Sequence, residues 1–309
     1  MNRLTVLVRK ELQEHRGMFI ILPLALTAIM TILILGGVTT TIMSNGHDGY
    51  TISADRSDAM QSQEQGGIQS FYGTAIQKLA SMEPGRREHV LEQTLDGLAA
   101  PLLVTLALVV FVYLVMTLHD ERKDRSILFW KSMPVSDAMT VISRLVCITL
   151  VVPAIYLGCI MLVHLVSLTV ASFNAMHQSV PVWQTVWEPA HVLVRWFNFA
   201  GYLVLNSIWS LPWYAWLLLV SAWARSVPVA WAILVPFFLS VLEKVLTSSN
   251  WLSHWMWVSS LPLGLSDGVA LNAGGSLQLL IAPVTVFSLA AAVVMVYGAI
   301  RIRGRTDEI

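Results

Sequence analysis

Six apolar stretches, each about as long as a helix needs to cross a bilayer, run through this chain, and they decide its fold class. They cover Met18 to Met43, Leu98 to Leu118, Val141 to Ser172, Phe197 to Trp223, Val227 to Leu246 and Leu277 to Ile300. In lipid every backbone amide must find its partner within the protein, which leaves helices or closed barrels. None of the six runs alternates apolar and polar residues as a barrel strand does. The expected fold is all-α integral membrane, six transmembrane helices in a single domain over residues 1–309. Composition agrees. The chain is 56% hydrophobic and 12% charged, whereas a soluble domain carries about 25% charged residues. The formal net charge is zero, which argues against nucleic acid as a partner, since a phosphate-binding surface needs a basic surplus.

Basic residues set the expected orientation. The head carries Arg3, Arg9, Lys10 and Arg16, and the connection between spans two and three carries Arg122, Lys123, Arg125 and Lys131. Arg225 lies between spans four and five, and the tail adds Arg301, Arg303 and Arg305. With six spans all of these share one side, so both termini are expected to be cytoplasmic, in an inner or plasma membrane. The head, residues 1–17, includes Glu11 and Glu14 and lacks a small-residue cleavage pattern, so it reads as retained rather than as a secretory signal. Leu4, Leu7, Val8 and Leu12 share one helical face there, which fits an N-terminal interfacial helix or a plain basic anchor. Trp183, Trp187 and Trp196 flank the expected outer end of span four, and Trp251, Trp255 and Trp257 follow span five.

The largest expected outer loop spans residues 44–97. Its first half is polar and glycine-bearing and reads as a linker. In its second half, Ile68, Phe71, Tyr72, Ile76 and Leu79 recur at helical spacing, and Val90, Leu91 and Leu95 do so after Pro84. Two short amphipathic helices are expected, either capping the outer face or lying on the membrane surface.

Catalytic signatures are missing. There is no G-x-x-x-x-G-K-[ST], no H-E-x-x-H and no G-x-S-x-G in the sequence. No catalytic residues, metal site or cofactor are expected in this chain. His164 in span three reads as a helix-packing hydrogen bond or a functional group, and Glu243–Lys244 as an interfacial pair. Trp209, Trp213, Trp216 and Trp223, with Asn206 and Ser210, recur on one face of span four, beside a kink expected at Pro212. That face packs on another helix or forms an aromatic wall for an amphipathic cargo. On the second reading, Asn206, Trp209, Ser210, Trp213 and Trp216 are the candidate substrate path.

The most informative stretch is HDERKDRSILFWKSMPVSDAMTVISR, His119 to Arg144. Ser126 to Ser132 can form a short helix ending before Pro134. Ser136 can cap the next helix, whose first turn carries Asp137. A short cytoplasmic helix between two spans is either an ordinary basic loop or a lever that a soluble partner pushes. The stretch resembles the cytoplasmic segment of permease subunits of type-2 ABC exporters. The matching residues are Glu121, Ser126, Ile127, Leu128, Pro134, Val135, Ser136 and Arg144, and Arg9-Lys10-Glu11 resembles that family's opening. Arg125 departs from the pattern, standing where the family commonly has Gly.

The resemblance implies a cytoplasmic coupling helix within residues 119–140. Glu121, Arg122, Asp124, Arg125, Ser126, Phe129, Trp130 and Pro134 would make the coupling contacts. It implies separate ABC ATPase subunits that bind ATP and Mg, and a second permease copy or homologue in surrounding membrane lipid. Most members of the family export, so export is the expected direction. Two other readings stay open: a force-transmitting subunit that drives an outer partner without moving solute, and an intramembrane enzyme.

Overall fold

The structure is a computed structural model and describes residues 3–35, 69–123, 136–248 and 283–305. Helix α1 is Arg3–Glu14, and α2 is Gly17–Leu35, opening with a π-turn at Gly17–Ile21. Helix α3 is Gln69–Ser81 and α4 is Pro84–Lys123. Helix α5 is Asp137–His177, with a second π-turn at Cys147–Val151. Short helical turns at Trp183–Trp187 and Glu188–Ala190 precede α6, Val192–Trp209. Helices α7, α8 and α9 are Leu211–Trp223, Pro228–Thr247 and Pro283–Arg305.

All regular structure among the described residues is helical. Among the described residues four helices, α2, α4, α5 and α8, are long and apolar enough to cross a membrane, and there are five if the bent pair formed by α6 with its preceding turns and α7 is one span. Helix α9 is the described part of the sixth apolar run. Of the most apolar stretch of α8, only 11% is buried. Such a helix is stable only with lipid or another chain around it. The chain is a multi-pass membrane protein.

One expectation is corrected. The second amphipathic helix does not end near Gly97: Pro84 begins a single 40-residue helix that passes through Gly97 and Pro101 into span two. Pro84 sits in the first turn, where its missing N–H is not needed. The helix continues through the change from polar to apolar composition, although Pro101 has no N–H to offer the Gly97 carbonyl. At 1.5 Å per residue α4 is about 60 Å long, roughly twice the hydrocarbon thickness. The kink expected at Pro212 is present: the fourth apolar run is two helices bent by 50° at Ser210. Pro212 has no N–H to offer the Ile208 carbonyl, and the chain turns there.

The described chain divides into two compact units. Unit 1 comprises residues Met1–Ile20, Leu103–Ile155 and Phe197–Ile309. Its best-packed pair is α7 against α9. Small residues allow the approach: Ser221 and Ala222 on α7, and Ser288, Ala292 and Ala299 on α9, are buried. A Cβ on Gly298 would meet Leu219 Cδ1 at 3.3 Å, tight enough that the pair would have to shift. Unit 2 comprises Ile21–Leu102 and Tyr156–Trp196. Ile76 and Leu79 of α3, Leu91 and Leu95 of α4, and Leu168 and Ala175 of α5 form its apolar core with Val186 and Ala190. The Arg87 guanidinium donates to the carbonyls of Leu79 (3.1 Å), Ala80 (2.8 Å) and Met82 (3.0 Å), satisfying the end of α3, and to Gln184 (3.0 Å).

Candidate functional site

Within unit 1, four helices bring charged side chains to one buried cluster. The α1 spacing shows how the first arrives: Glu11 stands three, four and seven residues after Val8, Leu7 and Leu4, in the middle of the apolar face. It is 3% exposed. Tyr113 of α4 donates its hydroxyl proton to Glu11 Oε2 at 2.7 Å. His15 and Phe19 stack edge-on against the Tyr113 ring, each 4.9 Å away between centroids.

Arg144 of α5 lies between two acids. Its Nε donates to Glu11 Oε1 at 3.4 Å, and its terminal nitrogen donates to Glu121 Oε1 of α4. Arg303 of α9 reaches the other Glu121 oxygen at 3.1 Å and Asp137 Oδ1 at 3.5 Å. The buried pair of carboxylates, Glu11 and Glu121, is balanced by the two guanidiniums, and the third carboxylate, Asp137, lies at the more exposed edge. The Glu11 carboxyl is held below the ordinary glutamate range. Burial is the largest influence and acts upward, but Arg144, the Tyr113 hydroxyl, Lys10 and His15 together outweigh it.

The cluster ties down both ends of the segment that the sequence singles out. Glu121 lies just before residues 124–135 and Asp137 just after, and Arg303 holds both. Ser136 caps α5 as expected, its Oγ accepting from Met139 N at 3.3 Å, with Asp137 in the first turn. Arg122 donates to the carbonyls of Ser221 and Ala224, both at 2.7 Å, at the end of α7. Asp124, Arg125, Ser126, Phe129, Trp130 and Pro134 lie outside the described residues, as does the helix expected over Ser126 to Ser132. Glu121 was expected to face a partner; here both its oxygens meet arginines of this chain.

Glu11, Glu14 and His15 bring ligand-type atoms within 4.8 Å of one another. Glu11 is committed to Tyr113 and Arg144, and Glu14 pairs with Lys10 at 3.3 Å. The trio is a helix face rather than a cation cage.

The candidate substrate path is rearranged by the bend. A cavity of about 250 Å³ opens between α4, Pro153 and the α6–α7 corner. Asn206, Ser207, Ser210 and Trp213 line it, with Tyr202 and Tyr214. Trp209 and Trp216 do not. Trp216 Nε1 donates to the Ala232 carbonyl at 3.2 Å, and Trp223 stacks on Trp231 at 5.4 Å. The indole N–H of Trp209 is buried and finds no acceptor among the described residues. The four tryptophans therefore form no continuous wall. The cavity falls below the roughly 300–1,000 Å³ of a typical ligand site. In unit 2, His164 makes the packing hydrogen bond expected of it, Nε2 to the Leu95 carbonyl at 2.9 Å.

Tyr113 and Arg303 carry the cluster without having stood out in the sequence. Arg303 had a signal: it continues the buried face of Ser288, Ala292 and Ala299 at helical spacing. Tyr113 had none beyond being a polar aromatic inside an apolar run. No family model, curated protein or solved structure matches this chain.

Proposed function

We propose that this chain is the permease subunit of an ATP-binding-cassette transporter, of the type-2 exporter kind, and that it couples ATP hydrolysis by separate ATPase subunits to substrate movement. In this reading it has six spans, both termini cytoplasmic, and sits in the inner or plasma membrane beside a second permease copy. The carrying observation is the clamp on the ends of residues 124–135. Glu121 and Asp137 are joined through Arg303, and Glu121 is joined to α1 through Arg144 and Glu11. A push on a segment anchored in this way moves α4, α5, α9 and α1 as a set. The absence of a P-loop fits a division of labour in which ATP and Mg belong to the partner.

A second reading keeps the same clamp but transmits force instead of moving solute. It is favoured by α4, one helix of 40 residues that carries Glu121 near its end and begins at Pro84.

The test is purification from native membranes with the protein's own partners, followed by reconstitution. An ATPase subunit should co-purify, and a cysteine at Ser126 should cross-link to it. Pro134→Ala and Asp137→Asn should leave the complex assembled and ATP hydrolysis running, while transport per ATP falls roughly two- to thirty-fold, the range of a 0.5–2 kcal/mol coupling change. A complex without a nucleotide-binding subunit, or one with wild-type coupling in both variants, would remove the proposal. ATP-driven work with no solute accumulation in inverted vesicles would select the force-transmitting form.

A further inference from the structure

We infer that unit 1 carries a binding site for an anionic phospholipid, at a basic notch where α4, α7, α8 and α9 end or begin. The inference is independent of the coupling proposal. Two adjoining concavities of about 530 and 490 Å³ share Arg122, Ala224, Arg225 and Ser226. Lys123 at the end of α4 and Arg305 at the end of α9 complete the lining charge. Four cations from three separate places in the chain thus converge, and no carboxylate lines either concavity among the described residues. A run of basic residues that only oriented the chain would need no such convergence, and the two buried arginines of the unit, Arg144 and Arg303, meet acids.

Backbone chemistry points the same way. Ser226 and Val227 line the notch at the start of the 20-residue helix α8, whose first turn has no side-chain cap. Pro228 has no N–H and the Ala230 amide bonds the Val227 carbonyl at 3.0 Å, so what favours an anion there is the positive end of the helix dipole. Arg122 has one terminal nitrogen committed to the Ser221 and Ala224 carbonyls, which fixes the guanidinium at the floor of the notch.

The apolar part of the ligand is indicated beside the charge. Trp223 and Trp231 stand on the rim, edge to face at 5.4 Å, the arrangement of indoles that sit at headgroup depth. From Trp231 an exposed apolar track continues along α8 through Leu234, Phe238 and Val245, one helical face leading away from the charges. A headgroup phosphate in the notch would lay its acyl chains along that track. A free phosphate has no use for the track, and an acidic protein surface has no use for its length.

The experiment is lipid titration of the purified full chain by native mass spectrometry, with dioleoylphosphatidylglycerol against dioleoylphosphatidylcholine. Wild type should bind the anionic lipid at least about ten-fold more tightly. Arg225→Gln and Arg305→Gln should each weaken it about five-fold, and the pair about 25-fold, with binding of the zwitterionic lipid unchanged; this is the effect of about 1 kcal/mol per basic residue near an anionic surface. Arg301→Gln, at an exposed position whose Nε donates to the Tyr297 hydroxyl outside the notch, should stay within about two-fold of wild type. If the double variant does not express, the single variants carry the same test. Wild type without preference for the anionic lipid, or an Arg301→Gln loss equal to those in the notch, would overturn the site. Full competition by millimolar inorganic phosphate would assign the notch to a small anion and overturn the lipid.

Discussion

Unit 1 and unit 2 face the same task, fixing long helices against each other in a chain rich in apolar surface, and they solve it with opposite chemistry. In unit 1 the Arg144 and Arg303 side chains are 3% and 4% exposed and meet carboxylates that are mostly buried themselves. In unit 2 Arg195 pairs with Glu92 and Asp96, whose side chains are 48% and 31% exposed, and Arg87 binds carbonyls. The unit 2 core is apolar, and the faces of α3 and α4 around it carry exposed polar residues such as Gln77, Glu88 and Glu92. Where water touches the helices, burying Ile76, Leu79, Leu91 and Leu95 has a hydrophobic driving force. In unit 1 buried charges add a specificity that apolar matching alone does not supply: each has one position in which it is paired.

The sharpest way to break this contrast is to remove an arginine from each unit. Arg144→Met leaves Glu11 and Glu121 buried and facing each other, and should cost about 3–5 kcal/mol, as for a broken buried pair. Arg195→Met releases carboxylates that water can reach, and should cost about 1 kcal/mol. Unfolding of the purified protein in detergent, followed by heat or by denaturing surfactant, measures both. Equal costs would mean that the two units are held by the same kind of interaction. Glu11→Gln added to Arg144→Met should recover part of the loss, because it removes one of the two facing charges.

The contrast also explains what the sequence disclosed. Apolar runs place the helices, and local chemistry places their ends: Ser136 caps α5, Pro84 begins α4, and Ile76 and Leu79 mark the buried face of α3. These signals are local, so they survive in a single sequence. The continuity of α4 was hidden because its polar start and apolar remainder look like two elements. Pro212 signalled the kink beside the tryptophan face of span four, but not its consequence: the 50° bend at Ser210 sends the tryptophans to different neighbours. The buried cluster was the least legible part. Glu11 could be read as an acid on an apolar face, and Arg144 and Glu121 stood in the family-like pattern. Their pairing with Tyr113 and Arg303 depends on which helices meet, and that is a property of packing.

A smaller effect tests the electrostatic state of the unit 1 cluster. Glu11→Gln keeps an acceptor for Tyr113 but loses the charge opposite Arg144, and should cost about 1.5–3 kcal/mol at neutral pH, the value of a hydrogen bond to a charged group. In the wild type the folded-state Glu11 value lies below the unfolded one, near 4.3. Its stabilisation is therefore complete above that pH and is lost as pH falls through the lower folded value. Wild type and Glu11→Gln should converge in stability on acidification. Curves that stay parallel through the acid range would show that Glu11 contributes through shape and not through charge.

The smallest expected effect lies in unit 2 and is the most discriminating control. Glu92 Oε1 is 3.5 Å from the Arg195 guanidinium, about half of its side chain is exposed, and Arg195 keeps Asp96 Oδ1 at 2.6 Å without it. Screening by water and the surviving partner both argue for a cost of about 0.2–1 kcal/mol for Glu92→Gln. Because the pair is open to solvent, that cost should shrink as salt rises and the Debye length falls from about 10 Å at 0.1 M to about 3 Å at 1 M. The Arg144→Met penalty should barely change over the same range, since its carboxylates are out of reach of ions. A Glu92→Gln loss above about 2 kcal/mol that salt leaves unchanged would place the Arg195 pair in a dry setting like that of Arg144, and the difference in chemistry between the two units would disappear.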